Sequence, residues 1–88
     1  MQSDHHWRND IDALEFRPAG SLRLCMVHRL AFRTLIGRLP EKEDCLAWFA
    51  AHRQAFETAA SVKMARGGAG NFHLTSRDIA GQHPPISR

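Results

Sequence analysis

Two cysteines, six histidines and a run of arginines are the residues of this 88-residue chain that could do chemistry. Cys25 and His28 stand three apart, a spacing used in zinc sites where a thiolate and an imidazole converge on one ion. The residues around them alternate as a strand does, and strand positions three apart point to opposite faces, so the pair converges only if the strand ends between them. A buried structural thiol is the expected role of Cys25. Cys45 and His52 share one helical face and could form a thiol–imidazole dyad. Two helical turns hold them about 10 Å apart along the axis, with Trp48 and Phe49 between, whereas proton transfer needs about 3 Å. Both are expected on a core stripe. His52 and Arg53 are a possible functional pair, although a histidine on an apolar stripe is ordinarily packed with one ring nitrogen hydrogen-bonded. Arg53 and Glu57, four apart, would make a surface ion pair worth about 0.3 kcal/mol.

Gly67-Gly68-Ala69-Gly70 has the composition of a phosphate loop, but it runs from a helix into a strand. Phosphate loops run from a strand into a helix N-terminus, whose free amides hold the anion. A helix stop and connector is the expected role. The arginines carry the strongest functional signal. From Phe16 to Pro40 there are five, Arg17, Arg23, Arg29, Arg33 and Arg38, with no Asp or Glu. Acids flank this stretch at Asp10, Asp12 and Glu15 and again at Glu41, Glu43 and Asp44. Arg23, Arg29, Arg33 and Arg38 could line one edge and meet phosphates, or form a solvated basic face. The chain has no Tyr, and most Phe residues fall at expected core positions, which speaks against base stacking on RNA.

The elements that position these residues follow from patterning. Hydrophobic residues make up 43% and charged residues 24%, as in an ordinary globular domain, and the formal net charge is +3. A chain of this length should bury roughly 60–65% of its unfolded surface around one core. Two cysteines are too few to staple a small secreted domain, so both are expected as reduced thiols, one disulfide remaining arithmetically possible. There is no apolar run of membrane-spanning length, and residues 1–12 show no hydrophobic export region; no membrane association and a cytoplasmic location are expected.

Residues 1–9 show no periodicity and are expected as a flexible arm with Trp7 as its apolar anchor. Ile11 to Arg17 alternates, with Leu14 and Phe16 on one face, and stops at Pro18 as a first strand. Pro18 to Ser21 has turn chemistry, and Leu22 to His28 is the second strand of a hairpin. Its fully apolar face, Leu22, Leu24 and Met26, is expected in the core, leaving Cys25 and Val27 toward a second layer or partner. His28 to Leu39 carries apolar residues at helical spacing and ends near Gly37. The acids from Glu41 to Asp44 suit a helix start, and the periodicity runs to Arg66 as one helix of about 23 residues. Asn71 to Arg77 alternates again as a third strand, and residues 81–88, with Pro84-Pro85, form an extended tail. The expected fold is α+β: one domain over residues 10–80, a small antiparallel three-stranded sheet with two helices on one face, in the order β-β-α-α-β.

Some of these residues resemble a family. Leu22 to Ala31 with Cys25, Val27, Arg29 and Ala31, then Phe49-Ala-Ala-His52-Arg53 and Phe56-Glu57, then Leu74-Thr75-Ser76 before Asp78-Ile79, look like a group of short bacterial proteins catalogued only as a domain of unknown function. The resemblance covers residues 11–80 and is most specific at the helix, with an aromatic three before the His-Arg pair and an acid four after the arginine. Phe56 departs from the aliphatic residue common there. The resemblance implies a small α+β fold and carries no catalytic residues.

The leading expectation is a non-enzymatic module that binds another protein or itself, with no metal and no cofactor. The alternative is an accessory protein that binds nucleic acid through Arg23, Arg29, Arg33 and Arg38. A small enzyme or metal protein ranks third.

Overall fold

A computed structural model describes residues 5–81 of the chain. Four strands, β1 (His5–Arg8), β2 (Ala13–Phe16), β3 (Cys25–His28) and β4 (Phe72–Leu74), lie in that order across one sheet. Between β3 and β4 run α1 (Arg29–Ile36), α2 (Lys42–Ala51) and α3 (Arg53–Ala65), and α4 (Ser76–Ala80) follows β4. The α+β class is as the sequence implies, but the sheet is mixed and four-stranded rather than antiparallel and three-stranded. The added strand, β1, falls inside the segment expected to be an arm. His5 and Trp7 point to the helices, His5 lying 4.9 Å from the Phe49 ring and Trp7 packing on the core. His6 and Arg8 point the other way, onto Glu15. β4 runs parallel to β3, because the three helices carry the chain back along the sheet before it re-enters.

The face expected inside β3 is reversed. Pairing sets Phe16 opposite Cys25 and Leu14 opposite Val27, and cross-strand neighbours point to the same side. Cys25 and Val27 therefore join Leu14 and Phe16 in the core, all at 0% exposure. Leu22 and Leu24 precede the strand, in a loop where Ser21 Oγ accepts the Arg23 N–H at 2.9 Å, and Leu22 is 94% exposed. Their apolar character had marked the wrong face of the pleat.

The long helix expected from Glu41 to Arg66 is two helices, broken at His52 (φ −122°, ψ 28°). The His52 amide is shared between the Trp48 and Phe49 carbonyls, at 3.0 and 3.2 Å. Its Nδ1 donates to the Trp48 carbonyl at 2.9 Å, and its ring stacks on the Trp48 indole at 3.9 Å. α1 ends where expected, because Gly37 takes φ 96° and returns its N–H to the Arg33 carbonyl.

One side of the sheet packs on the helices through four aromatic side chains at 0% exposure, Phe16, Phe32, Phe49 and Phe56. Phe56 is their hub, with ring centroids 4.9 Å from Phe49, 5.7 Å from Phe32, 5.8 Å from Trp48 and 6.3 Å from Phe16. α4 is fixed by Asp78, whose carboxylate accepts the Thr75 N–H at 2.9 Å and the Lys63 ammonium at 2.9 Å. Burial works against ionisation of Asp78, but the bonds from Thr75 and Lys63 outweigh it and lower its pKa below the ordinary 3.8.

Phe56→Ala is expected to cost about 3–5 kcal/mol in urea unfolding, and Leu22→Ala less than about 0.5 kcal/mol. Because the folded pKa of Asp78 is depressed, its contribution is complete above 3.8 and is lost as pH falls through the folded value. Acid titration of stability should therefore be shallower below pH 3.8 in Asp78→Asn than in the unsubstituted protein.

Candidate functional site

The cysteines are placed away from chemistry. Cys25 points into the core while His28, three residues on, points out of the opposite face, so the two do not share a ligand. Burial pushes the Cys25 thiol up to about 12 and the Cys45 thiol up to about 11, so both stay protonated at neutral pH. Both are free thiols. His52 is bonded to Trp48 rather than to Cys45, and Arg53 donates to Glu57 at 3.2 Å while its guanidinium covers the Phe49 ring at 5.1 Å. Glu57 also accepts the Ala19 N–H at 2.9 Å, tying the β2–β3 loop to α3. The His52-Arg53 pair thus shapes the α2–α3 break. Among the described residues, no group of three or more His, Cys, Asp or Glu is placed to hold a metal ion.

Three of the four candidate arginines are committed to the fold. Arg23 donates to the Gly70 carbonyl at 2.7 Å and lies over the Phe72 ring at 4.8 Å, pinning the glycine loop. Gly67, Gly68 and Gly70 all take positive φ, which suits a helix stop and connector. Arg29 bonds Asp12 at 3.1 Å and the Pro40 carbonyl at 3.2 Å. Arg38 pairs with Asp44 at 3.2 Å. Arg33 is exposed on α1. Arg23 precedes β3 and Arg29 follows it, so the strand separates them by roughly 13 Å at about 3.3 Å per residue. The structure does not gather Arg23 with Arg29, Arg33 and Arg38 around one point.

What it does gather is a face of the sheet. Alternation places His6, Arg8, Ala13, Glu15, Met26, His28 and His73 on the side away from the core cluster, and none belongs to that cluster. His6, Glu15, Met26 and His73 form one row across all four strands. Glu15 is only 6% exposed, and its carboxylate is held by His6 at 3.0 Å and Arg8 at 3.1 Å. Arg8 also pairs with Asp10, whose pKa it lowers. At the far side the His28 and His73 rings stack at 4.9 Å, 14° from parallel. Met26, 6% exposed, lies between Glu15 and His73. These residues were not singled out from the sequence as a set. Residues 1–9 give no periodic signal, and only the strand register brings the four strands' residues together.

The fold and this face define a two-layer α+β domain with helices on one side of the sheet and a polar, histidine-rich surface on the other. Comparison with protein-family models, with curated proteins and with solved structures finds no match. Among the described residues, no helix is long and apolar enough to cross a membrane.

Iodoacetamide at pH 8 is expected to leave both thiols unmodified in the folded protein and to alkylate both in denaturant, read by intact mass. Rapid alkylation of the folded chain would contradict the burial of Cys25 and Cys45.

Proposed function

We infer that the chain is a non-enzymatic protein-interaction module, and that its docking surface is the sheet face whose accessible side chains are His6, Arg8, His28 and His73. The observation that carries this reading is that one row of that face crosses all four strands on the side opposite the helices. Sheets built partly from antiparallel pairs tolerate a wet face, so composition has to distinguish a docking surface from a solvated one. This face sets Met26 and stacked imidazoles beside an internally neutralised Arg8–Glu15–His6 group. Arginine is enriched where proteins meet, and Arg8 is the accessible arginine of this face, Met26 being nearly buried.

Size decides what kind of partner fits. Four strands about 4.8 Å apart and four residues at about 3.3 Å each span roughly 250 Å² in projection. A stable complex needs about 800 Å² from each partner. The reading is therefore a transient contact with a protein segment, not an obligate dimer. The sequence resemblance to short bacterial proteins of unknown function is compatible with this and adds no activity. The nucleic-acid alternative is weakened by the commitment of Arg23, Arg29 and Arg38 to Gly70, Asp12 and Asp44.

A photo-crosslinking residue placed at His6, His28 or His73 in cells is expected to capture one protein in common. The same residue at Ala47 or Ala50, exposed on α2, should not capture it. Capture from the α2 positions alone would place the docking surface on the helices and overturn the assignment.

A further inference from the structure

A second feature lies on the helical side, independent of the sheet face. Between α3 and α4 opens a cleft of about 280 Å³, bordered by Lys63, Arg66, Arg77 and Asp78 with Ala59 and Val62 on its apolar wall. Lys63 and Arg66 come from the C-terminal end of α3, where cations complement the helix dipole. Arg77 arrives from the last turn of α4, a separate helix of five residues, so the three cations border the cleft from two different elements. Lys63 Nζ is committed to Asp78 at 2.9 Å, and Asp78 stays ionised because the Thr75 and Lys63 bonds lower its pKa despite burial. Among the described residues, neither Arg66 nor Arg77 has a carboxylate partner. Among the described residues the cleft thus carries three cations against one carboxylate, a net of two positive charges, and neither guanidinium is committed to a carboxylate.

We propose that the α3–α4 cleft is a binding site for a small phosphate monoester, gripped by Arg66 and Arg77 with its organic group against Val62 and Ala59. A phosphate monoester carries close to two negative charges at neutral pH and presents three acceptor oxygens, which matches the unbalanced charge of the cleft. The planar guanidinium fork donates two parallel hydrogen bonds to such a group. Val62, 40% exposed, supplies the apolar contact that inorganic phosphate would leave unused. The Lys63–Asp78 pair is part of the cleft lining, and the volume of about 280 Å³ suits a ligand of a few carbons rather than a polymer strand.

The test is a titration of the full chain, followed by backbone amide NMR, with inorganic phosphate, butyl phosphate and butyl sulfate. Saturable shifts confined to residues 59–66 and 77–81 are expected, with butyl phosphate tightest and the monoanionic sulfate ester weakest. Arg66→Gln and Arg77→Gln should each weaken butyl phosphate by about tenfold or more, the loss of one guanidinium's charge-assisted contact. Arg33→Gln should leave it unchanged, and the same spectra show that each variant is folded. Equal binding of phosphate and butyl phosphate would remove the apolar subsite and overturn the monoester assignment. So would shifts spread over Arg23 to Arg38, insensitivity to both variants, or tighter binding of a short RNA with the same footprint, which would make the cleft a nucleic-acid contact.

Discussion

The pairing of Leu14 with Val27 and of Phe16 with Cys25 is the constraint on which the rest of the molecule depends. A strand offers its side chains alternately to two faces, and a shift of one residue exchanges every one of them. In the observed register, Cys25 and Val27 meet the helices, so the Cys25 thiol is desolvated and held protonated. The same register sends Met26 and His28 to the other side. There they align with Glu15 on one flank and His73 on the other, and the polar face exists as a face only for that reason.

The two sides of the sheet are stabilised differently. Toward the helices, aromatic side chains grouped around Phe56 give non-directional burial that tolerates small adjustments. On the other side, Glu15 places a carboxylate at 6% exposure, a costly position for a charge unless it is paired. Arg8 and His6 supply the pairing, and both belong to β1. The buried acid therefore anchors β1 to the sheet by direction as well as by contact. α4 is secured in a similar way through Asp78, which joins the strand end at Thr75 to Lys63 on α3 and so shapes the adjoining cleft.

Much of the architecture was legible in the residues. Leu14 and Phe16 read as a core face and are one; Gly37 stops α1; the acids from Glu41 onward begin α2. The errors have particular causes. Leu22 and Leu24 outweighed Cys25 and Val27 in apolar character, yet they lie in a loop that no local pattern distinguishes from a strand start. The break at His52 comes from a side chain bonding to the Trp48 carbonyl, without a glycine or proline to announce it. The parallel direction of β4 depends on the path of three intervening helices. The arginines were visible as a basic run, but a sequence does not show that Gly70, Asp12, Pro40 and Asp44 take up most of them. The sheet face and the α3–α4 cleft each combine residues far apart in the chain, which no spacing rule connects.

The most direct test of the central claim, the register that creates the two faces, is a set of nuclear Overhauser contacts in the labelled protein. The structure predicts contacts from the Val27 methyl groups to Leu14 and Leu74, from Cys25 to Phe16 and Phe72, and between the rings of His28 and His73. Contacts from Leu24 and Met26 to Phe16 and Phe56, with Val27 facing solvent, would contradict it. The pleat would then be inverted, and the polar face would not exist.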